Sequence, residues 1–254
     1  MSFLDERTFS ERSRVIDANE PQSATMGFLN HVEELRKRLL RSLVAILLVA
    51  VVALIFGDEV LRIFMWPLGD VKLHFTEISG SFVGYMKVAL FVAILGASPY
   101  VFAQLWGFVA PGLFQRERRL ALTAIALTTL LFLTGAAFCF TIVLPFTIQY
   151  LVNFESALFT PIITLDSYIS FAGWTMVGFG AGFTMPVWAY FAARMGLVTA
   201  RGLAGFRRYA LVIILFLAAI LTPSPDVISQ LSMAIPLYLL YEVSVVVAWL
   251  AARE

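Results

Sequence analysis

Charge is what this sequence has least of. Only 14% of its 254 residues are Asp, Glu, Lys or Arg, where a soluble domain carries about 25%, and a deficit of that size excludes a soluble fold. Net charge is +1, so no global basic or acidic field points to nucleic acid or to an acidic substrate; the placement of the charges carries the information instead. The single cysteine, Cys139, cannot close an internal disulfide, and its apolar surroundings read as those of a small buried hydrophobe. His31 and His74 fall in different compartments of the topology derived below, and the chain has no metal-ligand spacing, GxSxG, HExxH or phosphate-binding loop. Catalysis and a bound cofactor are therefore not expected. A cleavable signal peptide is not expected either, because the first apolar run begins near Leu39 behind a charged segment and no small-residue cleavage site follows. The leader up to Gln22 is polar and poor in apolar residues, so residues 1–25 are expected to be a mobile leader and 26–254 a single membrane domain. No internal repeat is evident, which counts against transporter folds built from inverted repeats.

What the chain has in abundance is apolar length, with 60% of residues of apolar type. A helix crossing the hydrocarbon needs about 20 apolar residues. Four segments meet or approach that: Leu39 to Phe56, Phe82 to Phe102, Leu120 to Leu144 and Tyr168 to Ala193. Two more, Tyr209 to Leu221 and Val227 to Ala252, flank the turn-forming run Thr222-Pro223-Ser224-Pro225-Asp226. The fifth segment spans only about 20 Å as a helix, so it is read as one half of a short spanning pair in a thinned bilayer, since lipid-exposed irregular backbone is not tolerated at that depth. The expectation is an all-α polytopic bundle of six transmembrane helices with a short fifth and sixth.

Orientation follows from the 18 Lys and Arg residues. Those before the first segment, in the loop after the second (Arg116, Arg118, Arg119), in the loop after the fourth (Arg194, Arg201, Arg207, Arg208) and in the tail (Arg253) all fall on one side. Arg62, Lys72 and Lys87 fall on the other side, together with seven carboxylates: Asp58, Glu59, Asp70, Glu77, Glu155, Asp166 and Asp226. The positive-inside rule places both termini in the cytoplasm.

Several short stretches bear on function. Residues 27–41 (GFLNHVEELRKRLLR) form an amphipathic lead-in, with Phe28, Val32, Leu35 and Leu39 on one face. Glu33 with Lys37 and Glu34 with Arg38 are helix-stabilising i,i+4 pairs, and the basic cluster suits anionic lipid. Residues 106–119 (WGFVAPGLFQRERR) make an unusually apolar loop that closes on Glu117 among three arginines; such surface marks a docking site or lies against membrane or bundle. Val60 to Phe64, then Trp66 and Pro67, suit a short interfacial helix that is equally well read as a connector or as a cap. Gly178, Gly180 and Gly182 follow no strand; they read as sites of close helix approach or of bending near Pro186. In the last segment Gln230 and Glu242 are costly in lipid unless they face protein or water. Functional and structural readings balance for Gln230, and the structural one is preferred for Glu242.

Taken in order, HVEELRKRLL, FVAPGLFQRERR, RRYALV, TPSPDVISQ and AIPLYLLYE resemble the signature stretches of TatC, the multi-spanning subunit of the twin-arginine protein translocase, from about His31 to Glu242. The resemblance implies a receptor in the cytoplasmic (inner) membrane that binds the twin-arginine signal peptides of folded precursor proteins. It further implies assembly with the single-span proteins TatA and TatB and with other copies of itself, and transport driven by the proton-motive force. Glu34 and Glu117 would read the arginine pair, with Arg36 and Phe108 beside them. Pro67 would belong to the external cap, and Asp226 and Gln230 to the region meeting the partner helices. Two departures stand out. Thr184 of Phe183-Thr184-Met185-Pro186 occupies the place of a customary glutamate, which puts a protonation role there in question. TPSPD also carries Ser224 in addition to the commoner TPPD.

The competing reading is a small-solute or ion secondary transporter, for which mid-membrane ionisable groups are scarce. The topology is checked by reporter fusions: alkaline phosphatase inserted within residues 69–79 is expected to be active, and the same enzyme fused after Ala252 inactive.

Overall fold

The apolar runs form helices longer than their apolar parts. The computed structural model describes residues 31–69, 71, 73–74, 80–109, 118–153, 163–222 and 227–251; residues 1–25, Glu117 and Asp226 lie outside them. In chain order the helices are α1 (His31–Ile55), α2 (Gly57–Phe64), α3 (Gly80–Val109), α4 (Arg118–Phe138), α5 (Leu144–Asn153), α6 (Leu165–Arg194), α7 (Ala200–Leu221) and α8 (Val227–Ala251). Six spans result, α4 and α5 being two parts of one. At 22 and 25 residues, α7 and α8 are shorter than α3 and α6 at 30. The boundary expected for the fifth segment is corrected: helix begins at Ala200 and not at Tyr209, because Thr199 caps it by accepting a 3.0 Å bond from the Gly202 amide. The added turns carry Arg201, Arg207 and Arg208, which is why hydropathy alone missed them.

Two of the prolines inside the spans are accommodated locally. Pro99 cannot donate to the Leu95 carbonyl, and the hydroxyl of Ser98 donates to that oxygen instead, at 2.7 Å. Just ahead of Pro145, residues Cys139–Val143 widen into one π turn, with the Leu144 amide donating to the carbonyl of Cys139 five residues back. That widening relieves the clash a proline ring would meet in a regular helix.

α6 is the centre of the bundle and packs against α3, α4, α7 and α8. Without a hydrophobic force between helices in lipid, close approach of small residues holds such a bundle together. Gly180 lies against Phe132 of α4, Gly182 against Leu237 of α8 and Gly178 against Leu221 of α7, while Gly135 of α4 lies against the Phe179 carbonyl of α6. The three alternate glycines of α6 thus serve three different neighbours, as expected of close-approach sites. Cys139 is fully buried in this core. Nearer the other end of α3, buried Trp106 donates to Thr128 of α4 at 3.0 Å and stacks on Trp188 of α6 with ring centroids 4.7 Å apart.

One end of the bundle is closed by the segment after α1. α2 ends in a 3₁₀ turn, Trp66–Leu68, in which Pro67 and Leu68 are buried. The hydroxyl of Tyr168 donates to the Phe64 carbonyl at 2.6 Å, and Leu73–His74 pair in parallel with Ile163–Thr164. This segment is therefore a packed cap; Trp66 remains exposed and stacks on Phe140. At the opposite end the α6–α7 turn is set by Gly196 in the left-handed region, φ +72°, with Leu197 bonding back to the Ala192 carbonyl.

The α4–α6 contact gives a direct test. A Cβ on Gly135 would lie 2.7 Å from the Phe179 backbone oxygen, whereas one on Gly205 meets nothing within 4 Å. Gly135→Ala is expected to cost about 1–3 kcal/mol, read as a lowered unfolding temperature in detergent, and Gly205→Ala to leave that temperature unchanged or slightly raised.

Candidate functional site

The foot of α1 and the last turns of α3 run antiparallel and meet side by side. α1 is helical from His31 because its i,i+4 charge pairs form: Lys37 Nζ lies 2.7 Å from Glu33 Oε1, and Arg38 Nη2 lies 2.6 Å from Glu34 Oε1. The two pairs differ in setting. Glu33 and Lys37 are well exposed, whereas Arg38 retains 24% and Glu34 39% of its side-chain exposure. Arg38 is partly covered by α3.

The geometry around Arg38 is specific. Its Nε and Nη2 both donate to Glu34 Oε1, at 2.9 and 2.6 Å, and its Nη1 reaches the Gln104 carbonyl at 3.5 Å, the outer limit of a hydrogen bond. A Cβ on Gly107 would stand 2.3 Å from that Nη1, so a glycine at 107 is what admits the guanidinium. One turn further out, the His31 imidazole stacks on the Phe108 ring with centroids 4.3 Å apart and planes 20° from parallel. A cation near the carboxyl end of α3 is also favoured by the helix dipole.

Among the residues singled out from the sequence, Glu34 and Phe108 are thus brought together on neighbouring helices. Arg36 is exposed, two residues on from Glu34. Glu117 lies outside the described residues. Gln104 was missed, although a lone polar residue among apolar ones in the last turns of a span was a usable signal; so was Gly107, whose role shows only once α1 lies beside it.

The other candidates lie elsewhere. Pro67 is in the cap at the far end of the bundle. Buried Thr184 donates its hydroxyl to the Ala181 carbonyl of its own helix at 2.7 Å. Gln230 of α8 donates to the Leu215 carbonyl of α7 at 2.9 Å. Glu242 binds Arg207 of α7 at 2.8 Å and accepts from Tyr238 at 3.0 Å, while Tyr241 donates to the Leu203 carbonyl at 2.6 Å. These polar groups, one near each end of the pair, join α7 and α8 as an antiparallel hairpin. At the capped end Lys87 of α3 reaches both Asp166 and Ser170 of α6, at 2.5 and 3.0 Å. No group of three or more His, Cys, Asp or Glu that could hold a metal ion occurs among the described residues.

The α7–α8 ion pair is testable on its own. A double-mutant cycle with Arg207→Gln and Glu242→Gln should return a coupling of about 0.2–1 kcal/mol, measured by reversible denaturation in detergent and declining at high salt.

Comparison with known proteins gives consistent findings. Residues 30–236 match the family model described as Sec-independent protein translocase protein (TatC). The chain is 39% identical over 225 residues to the Sec-independent protein translocase protein TatC of Carboxydothermus hydrogenoformans, covering 88% of this chain and 93% of that one. The protein of the same name from Helicobacter pylori strain J99 is 39% identical over 218 residues, 86% and 87% of the two chains. A crystal structure of a twin arginine translocase receptor, TatC, superposes with a TM-score of 0.79 at 35% identity, covering 88% of this chain and all of the other.

Proposed function

The chain belongs to the TatC family of Sec-independent protein translocases, and on that premise we propose that it receives folded precursors by binding the arginine pair of their signal peptides at the foot of α1. It is a multi-pass membrane protein and a translocase component, not an enzyme, and it works with the other components of the twin-arginine system. In this reading the membrane is the cytoplasmic one, both termini face the cytoplasm, and the end bearing Glu34 is the receiving end. The concentration of Arg36, Lys37, Arg38, Arg41, Arg194, Arg201, Arg207 and Arg208 at that end supports the orientation.

One observation carries the site: Glu34 already holds an arginine guanidinium, that of Arg38, through two N–H groups on a single carboxylate oxygen. A carboxylate so placed, half-exposed at the membrane surface beside the His31–Phe108 stack, is suited to an incoming arginine. Arginine donates from a planar fork that lysine lacks. Glu117, 13 residues after Gln104 in sequence, is the proposed second carboxylate. At the other edge of the bundle the outward residues of α7, such as Val212, Phe216 and Ile220, are exposed and apolar. They support α7 and α8, with Asp226 and Gln230, as the face that receives the single-span partners TatA and TatB, with further copies of the chain completing the assembly.

Binding of a fluorescent twin-arginine signal peptide to the protein in nanodiscs tests the reading. A charge-assisted hydrogen bond is worth about 1.5–3 kcal/mol, so Glu34→Gln and Glu117→Gln are each expected to weaken binding about 10- to 100-fold with the unfolding temperature held. Changing the peptide's arginines to lysines should weaken it comparably. Wild-type affinity in both variants would remove the proposed site.

A further inference from the structure

Resting on the reading of Glu34 given above, we propose that Arg38 is an internal competitor for the incoming arginine and that Gln104 is the acceptor it turns to when displaced. Three observations on the α1–α3 contact lead there. Arg38 occupies the Glu34 oxygen with two of its donors while its third nitrogen, Nη1, lies against Gln104, at 3.5 Å from the backbone carbonyl. The side-chain Oε1 of that same Gln104 is buried and has no hydrogen-bond partner among the described residues. Gly107 leaves the opening through which the guanidinium can lie against α3.

A buried amide oxygen without a donor is unfavourable, and an arginine left beside apolar helices without an acceptor is more so. The resting arrangement satisfies Glu34 and leaves Gln104 Oε1 unmet. When an outside guanidinium takes Glu34, Arg38 becomes the unmet group, and a small rotation towards α3 brings it to the waiting oxygen. Both arrangements keep Arg38 bonded, so the exchange is nearly balanced and the outside arginine need only compete with an i,i+4 pair. The pair also screens Glu34 from stray cations, because a lysine ammonium would displace two donors with a single point charge.

The test is a double-mutant cycle on twin-arginine peptide affinity, using the full-length protein in nanodiscs. Arg38→Gln, which removes the competitor, is expected to tighten binding about 2- to 5-fold, the range set by a partly exposed ion pair. Gln104→Leu, which removes the second acceptor, is expected to weaken binding by a similar factor in the wild-type background and to have no effect in the Arg38→Gln background. A merely structural Gln104 would cost the same in both. If Arg38→Gln weakens binding or leaves it unchanged, or if the two substitutions are additive, the exchange is refuted. Glu34→Gln separates the two levels. Lost binding there with an additive cycle overturns only the exchange, whereas wild-type affinity there overturns the Glu34 reading and the exchange with it.

Discussion

A peptide group in hydrocarbon has no water to bond, and every irregularity in this bundle is arranged around that fact. The chain crosses only as helix, and at two of the prolines that interrupt the ladder a substitute is close at hand. Ser98 serves the carbonyl that Pro99 leaves open, and the π turn at Cys139–Val143 makes room ahead of Pro145. Two buried threonines of α6 follow the same rule, Thr175 and Thr184 returning their hydroxyls to carbonyls of their own helix. Once backbone and hydroxyls are satisfied within each helix, little polar attraction remains between helices. Packing at small residues takes over, which is why α6 can be central with glycines turned to three neighbours.

The same constraint sends charge to the two ends, and there the helices are tied in pairs. Lys87 joins α3 to α6 at the capped end; Arg207 and Glu242 join α7 to α8 at the other, and Arg38 lies between α1 and α3. The last contact differs from the first two because its partners are an ion pair within α1 and a neighbour that is only half engaged. A site able to exchange one arginine for another needs an arrangement of this kind, bonded in both states and not deeply stabilised in either.

Thr184 illustrates how membership of a family leaves room for variation. A carboxylate at this buried place would need a proton or a partner, whereas the threonine closes its hydroxyl on its own helix and asks nothing of the surroundings. The threonine hydroxyl does not ionise, so Thr184 itself carries no titrating charge at this point of α6.

Hydropathy and charge placement by themselves determined six crossings, an even count that returns the chain to its starting side, and the basic end. Each of these depends on the cost of moving side chains between water and lipid, which is a property of residues taken singly. The motif stretches also determined the family. The tertiary structure alone decided the early start of α7, whose first turns are cationic and amphipathic and hence invisible to a search for apolar length. It also decided that Pro67 and Leu68 are buried against the end of the bundle. Most of all it decided that the foot of α1 lies against Gln104 and Gly107. The i,i+4 spacing made the Glu34–Arg38 pair legible, but the neighbour that gives Arg38 a second destination comes from a helix 66 residues away, and only packing could bring it there.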